Sequence, residues 1–146
     1  MIYFDGACIA KCHLNEPNAD KVRALARSST GLCSCGWARL EFASVLHRWM
    51  HDGRLKSGNL RQVVRSFRED ERAGVWTWFV LTSDLLALTF ERLATLRANL
   101  PPRAADALHL TCAKENGLEE ICSNDRHLLA GAPHFGLKPI DVLRAP

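Results

Sequence analysis

Apolar residues recur along this chain in two alternating patterns: short dense runs, and longer stripes at helical spacing. Ile2-Tyr3-Phe4 is a short run that predicts a buried strand ending at Asp5. Gly6 to Asn15 mixes small and apolar residues without a clear period and breaks at Glu16-Pro17. Pro17 is suited to open a helix, for which Ala19, Val22, Leu25 and Ala26 supply the apolar stripe. Ser28 to Gly31 reads as a turn and Leu32 to Cys35 as a second strand. From about Ala38, Phe42, Leu46 and Trp49 share one helical face, and His51-Asp52-Gly53 ends that helix.

The alternation continues downstream. Asn59 is a candidate N-cap for a helix whose stripe is Leu60, Val63, Val64 and Phe67, and Gly74 stops it. Val75 to Leu81 is rich in β-formers. Ser83 or Asp84 then caps a helix running through Leu86, Phe90 and Leu93 toward Pro101. A further helix spans roughly Arg103 to Asn116, with Gly117 at its C-terminal stop. Glu119 to Ser123 is a strand, Arg126 to Ala130 a helical turn, and Leu137 to Val142 a last strand. Pro139 sends that last strand to a sheet edge. Strands alternating with helices predict βαβ units, hence an α/β fold with a short parallel β-sheet flanked by helices on both faces. With no linker, repeat or low-complexity stretch, residues 1–146 form one domain.

Composition narrows the class. At 47% hydrophobic and 24% charged residues the chain is ordinary for a globular protein and unlike a disordered one. Its longest apolar run is far too short to span a bilayer. No basic segment precedes a long apolar stretch at the N-terminus, so a cytoplasmic protein without membrane contact is expected. A net charge of +3 does not by itself imply nucleic acid, but 14 of the 19 basic residues are arginine, the better phosphate fork. A GC-rich coding sequence gives the same bias. Arg61, Arg65, Arg68 and Arg72 recur on the face opposite the apolar stripe of their helix. They form either a ridge for an RNA backbone or a solvated face balanced by Glu69, Asp70 and Glu71.

The six cysteines fit zinc spacing only loosely, through Cys8, Cys12 and His13 with Cys33 and Cys35, and read as small buried apolar residues.

Four acids carry the chemistry. Asp5 follows the first strand, Asp125 follows the Ile121-Cys122-Ser123 strand, and Asp106 and Glu41 lie near the starts of helices. Strand ends and helix starts meet at one edge of a parallel sheet, so these residues can converge on one pocket. Converging carboxylates repel unless a cation lies between them, and hard oxygen ligands suit Mg²⁺ or Mn²⁺. Such an ion assists phosphodiester hydrolysis. Each acid also has an ordinary reading. Asp106 favours its helix N-terminus, Asp125 can cap a turn, and Glu41 can be solvated. An unpartnered acid directly after a buried strand is costly, which makes Asp5 the strongest candidate. His109 reads as a packed or hydrogen-bonded residue.

Four segments carry a family resemblance: Ile2-Tyr3-Phe4-Asp5-Gly6-Ala7, Arg39-Leu40-Glu41-Phe42-Ala43, Arg103-Ala104-Ala105-Asp106-Ala107-Leu108-His109-Leu110 and Ser123-Asn124-Asp125-Arg126-His127-Leu128. In this order and spacing the chain resembles PIN-domain ribonucleases, especially VapC-type toxins of toxin–antitoxin pairs. The resemblance spans essentially the whole chain. It implies a Mg²⁺- or Mn²⁺-dependent endoribonuclease, commonly a homodimer, inhibited by a cognate antitoxin that covers or fills the acidic pocket. It places the catalytic and metal-holding acids at Asp5, Glu41, Asp106 and Asp125. In role, Asp5, Asp106 and Asp125 hold the metal, while Glu41 makes an outer contact or orients the attacking water. Ser123 and Asn124 support them. The chain departs from the family at Gly6, where Thr or Ser is frequent, and in its number of cysteines. Three alternatives stand beside this reading: an RNA-processing PIN nuclease without an antitoxin, a silent binding module of the same fold, and a zinc protein.

Overall fold

The computed structural model describes residues 1–97 and 102–144. Five strands form one fully parallel sheet: β1 (Ile2–Phe4), β2 (Leu32–Cys35), β3 (Trp76–Phe79), β4 (Glu120–Ser123) and β5 (Lys138–Asp141). Their spatial order is β3-β2-β1-β4-β5. The chain steps outward from β1 through β2 to β3, then returns to the other side of β1. The reversal leaves a crevice at the carboxyl ends of β1 and β4, where open α/β sheets bind ligands. As expected from Pro139, β5 is an edge strand.

The side-chain period of two sorts neighbouring strand residues onto opposite faces. Phe4, Leu32 and Cys122 join the core beneath α1 (Gly6–His13), α2 (Ala19–Ser28), α3 (Trp37–His51) and α4 (Ser57–Arg72). Tyr3, Cys33, Cys35 and Ile121 join the opposite core, beneath α5 (Ser83–Thr95), α6 (Ala104–Glu115) and α7 (Arg126–Gly131). A 3₁₀ turn, Ala132–Phe135, leads to β5. Among the described residues no helix is long and apolar enough to cross a membrane.

Several elements differ from expectation. Gly6–His13, which shows no period, is a helix. Gly6, Cys8, Ile9, Ala10 and even Lys11 are buried, and a helix covered on most sides shows no amphipathic contrast. The second helix starts at Ala19 rather than Pro17, because Asn18 takes a left-handed conformation with φ 64°. The fourth begins at Ser57, so Asn59 lies inside its first turn.

Thr82, not Ser83 or Asp84, caps α5 by accepting the Leu85 amide at 3.1 Å. That helix turns Leu85, Thr89 and Leu93 inward and leaves Leu86 and Phe90 exposed. It ends at Thr95; the expected run toward Pro101 falls partly outside the described residues.

Candidate active site

Strand register brings the first two acids together. Phe4 pairs with Cys122, so the residues that follow, Asp5 and Ser123, lie side by side. The Ser123 hydroxyl donates to Asp5 Oδ2 and accepts the Asp125 amide at 2.9 Å. One hydroxyl thus orients two acids. Asp5 also caps α1, its Oδ1 accepting the Cys8 amide at 2.8 Å, and Asp125 caps α7 through the His127 amide at 2.7 Å. These two acids therefore act as helix caps and also face a pocket. Burial pushes the Asp5 carboxyl above the ordinary carboxylate range, against the hydrogen bonds from Ser123 and Cys8.

Replacing Ser123 by alanine strands a buried carboxylate oxygen and an amide. It should cost about 1–3 kcal/mol of stability in denaturant unfolding. An unchanged midpoint would show that neither acid depends on this hydroxyl.

The other two acids arrive on helices. Asp106, in the first turn of α6, accepts the Arg103 backbone amide at 2.8 Å and the Arg103 Nε at 3.1 Å. The same guanidinium reaches Asp125 Oδ2 at 2.5 Å, so Arg103 bridges two of the four acids. Glu41, one turn into α3, accepts His109 Nε2 at 2.7 Å and the Gly6 amide at 3.2 Å. Burial disfavours the charged His109 ring. Cys35 and Glu41 outweigh it and hold the ring's pKa above its ordinary value.

Asp5, Glu41, Asp106 and Asp125 all line one cavity of about 650 Å³, together with Gly6, Arg103 and His109. All four sequence-derived candidates meet there. Asn124 does not line the cavity; its Oδ1 is buried without a hydrogen-bond partner among the described residues. The arginines of α4 lie elsewhere, along a separate groove. Sequence reasoning missed Arg103, whose signal was its place three residues before Asp106. It also missed the close approach of Gly6 to Glu41, which no local pattern reveals.

The donor set suits a hard divalent cation: carboxylate oxygens around one open cavity, with a guanidinium already spanning two of them. Among the described residues, however, no three His, Cys, Asp or Glu side chains are gathered closely enough to hold a metal ion in this arrangement. The same observation bears on zinc. Among the described residues the free cysteines and His13 form no cluster of three possible ligands, and burial pushes the Cys12, Cys33 and Cys122 thiols up to about 12.

The model of the PIN domain matches residues 2–132. The chain belongs to the PIN domain family. Its α/β fold, with five parallel strands and helices on both faces, is that family's fold as expected from the sequence. Two solved structures share it. The chain superposes on Mycobacterium tuberculosis VapC20, a sarcin–ricin loop cleaving toxin, with a TM-score of 0.71 and 16% identity over 90% of this chain and 95% of that one. It superposes on FitAcB from Neisseria gonorrhoeae with a TM-score of 0.61 and 18% identity over 99% of this chain and 100% of that one. No curated protein matches it in sequence.

Proposed function

We propose that this PIN domain is a divalent-metal-dependent endoribonuclease and the toxin of a toxin–antitoxin pair, acting on structured RNA in the cytoplasm. One observation carries the reading: four carboxylates from β1, α3, α6 and the end of β4 open into one cavity at the carboxyl edge of the sheet. Asp5, Asp106 and Asp125 would hold Mg²⁺ or Mn²⁺, directly or through water. Glu41, held against Gly6, would orient the attacking water or make an outer contact.

When bound, the cation supplies Lewis-acid stabilisation of phosphoryl charge and ionises water near neutral pH. The chain's own residues do the rest. Ser123 fixes the angle between Asp5 and Asp125, and His109 and Gly6 fix Glu41. Arg103, whose side chain is 63% exposed, neutralises Asp106 and Asp125 when no cation does.

The test is cleavage of a structured RNA mixture by antitoxin-free protein with Mg²⁺, Mn²⁺ or EDTA. Metal-dependent cutting abolished by EDTA supports the reading. Folded, partner-free protein that cuts with none of these metals would point instead to a narrowly specific substrate or to the silent binding module. The exposed Val80, Leu86 and Phe90 offer an apolar surface for an antitoxin or a second copy in the expected homodimer.

The arginine ridge belongs to the same proposal. One of the acids expected to balance it is engaged elsewhere: Glu71 accepts from Arg39 Nε at 2.8 Å. Among the described residues no carboxylate pairs with Arg61, Arg65, Arg68 or Arg72, which flank a groove floored by Leu60 and Val64. Unpaired guanidinium groups along one helix suit an RNA backbone. Arg61→Glu with Arg65→Glu should weaken RNA binding and lower the salt slope by about one per lost phosphate contact. Unchanged affinity and slope would remove the ridge from the RNA-binding surface.

A further inference from the structure

A buried hydrogen-bond chain runs from the core beneath the sheet to Glu41. The Cys35 backbone N–H donates to Tyr3 Oη at 3.2 Å. Tyr3 Oη lies 2.8 Å from His109 Nδ1, and His109 Nε2 lies 2.7 Å from Glu41 Oε2. Tyr3 is fully buried and His109 is 1% exposed, so water does not compete for these partners. The chain draws on three separate elements, β1, β2 and α6, and ends on α3.

Its direction follows from the two ends. A backbone amide can only donate, so Tyr3 Oη accepts from Cys35 and keeps one lone pair and its own proton to meet Nδ1. An ionised Glu41 can only accept, so the proton on the far side of the ring sits on Nε2. The Cys35 sulfur also lies within hydrogen-bond distance of the same Nδ1, at 3.6 Å. Glu41 is exposed on its cavity side, and a glutamate there has three rotatable bonds to lose.

We propose that His109 is a positioning residue for Glu41, with Tyr3 setting the ring so that Nε2–H holds the carboxylate at the cavity wall. The inference rests on the nuclease reading for what Glu41 then does, but not for the hydrogen-bond chain itself. A histidine oriented by one partner so as to present its other nitrogen to an acid fixes that acid's rotamer before any ligand arrives. Loss of such outer partners typically costs 10–100-fold in metal affinity or activity. Because Glu41 is assigned an outer role, the lower end applies.

The experiment uses the full chain in two readouts. In the first, two-bond proton–nitrogen correlation spectra of metal-free protein report which ring nitrogen of His109 carries the proton. Nε2 protonated in wild type, with a marked ring shift in Glu41→Gln, is expected. A bare Nε2, or a ring indifferent to Glu41→Gln, overturns the proposal.

In the second, Mn²⁺ titration without RNA compares wild type with His109→Leu, His109→Gln and Tyr3→Phe. An approximately tenfold weaker affinity is expected for His109→Leu. A smaller loss is expected for Tyr3→Phe, which removes one hydroxyl and keeps the ring in the core. Substantial rescue is expected for His109→Gln, whose amide can still donate to Glu41. Equal affinities for all four overturn it, as does a His109→Gln defect as deep as that of His109→Leu. If His109→Leu fails to fold, Tyr3→Phe and the spectrum decide. Wild-type protein that binds no Mn²⁺ would overturn the metal reading of the cavity, and the spectrum would then decide the chain on its own.

Discussion

Asp5→Asn is expected to cut metal-dependent RNA cleavage by about a thousandfold, equivalent to about 4 kcal/mol of transition-state stabilisation, while making the metal-free protein more stable at neutral pH. The loss follows from removing a buried carboxylate of the cavity, 5% exposed and held by Ser123 and Cys8. The gain follows from linkage. Burial raises the Asp5 pKa in the folded protein, so the folded state binds this proton more readily than the unfolded chain. The corresponding stability is fully present below the ordinary carboxylate pKa and is lost as pH rises through the folded value. At neutral pH the ionised side chain is therefore a liability that asparagine removes.

Asparagine still caps α1, since its side-chain oxygen can accept the Cys8 amide. Thermal melts in EDTA should show the variant a few degrees above wild type at neutral pH, with the gap closing in acid. Added Mn²⁺ should then raise the wild-type midpoint and leave the variant unmoved. A variant less stable than wild type in EDTA at neutral pH would mean that Asp5 serves the fold first.

Gly6→Thr should also nearly abolish cleavage, although the family resemblance leads one to expect Thr or Ser at this position. A Cβ on Gly6 would lie 2.5 Å from both Cβ and Oε2 of Glu41, closer than atoms can approach. The glycine is needed for close approach, because its amide must reach Glu41 at 3.2 Å. A side chain there pushes Glu41 off both Gly6 and His109. Even Gly6→Ala should cost about 1–3 kcal/mol of stability through overpacking. It should also lower cleavage by about 10–100-fold through the displaced acid.

A double-mutant cycle with Glu41→Gln separates the two effects. Once Glu41 no longer acts, Gly6→Ala should cost little further activity, while still costing stability. Full activity in Gly6→Ser would show that Glu41 can yield without consequence.

The residues that made the fold legible are those with strong contrast. The stripes of α2, α3 and α4 reported their helices because each has one dry and one wet face, and the strand runs reported theirs because the inner strands are buried on both faces. Contrast fails where burial is uniform, as in α1, and where the inward face is set by neighbours, as in α5. There Leu85 and Thr89 pack inward and Phe90, at 67% exposure, does not. Caps at Thr82 and Arg103 were one residue from expectation or lacked the usual side chain, because capping depends on geometry that several adjacent residues can supply.

Apart from α1, the sequence by itself determined the order of strands and helices, the parallel sheet that such an order implies, and the identity of the four acids as residues at strand ends and helix starts. These follow from local periodicity and from the rule that βαβ connections put those ends on one edge. Only the tertiary structure decided how the acids are held. Ser123 sits beside Asp5 because β1 pairs with β4 in one register. Arg103 spans Asp106 and Asp125 because α6 starts beside the end of β4. Glu41 lies against Gly6 and His109 because α1, α3 and α6 converge there. Apart from the local Arg103–Asp106 pair, these contacts join residues between 22 and 118 positions apart, and no local pattern encodes a distance between elements that meet only after the sheet has closed.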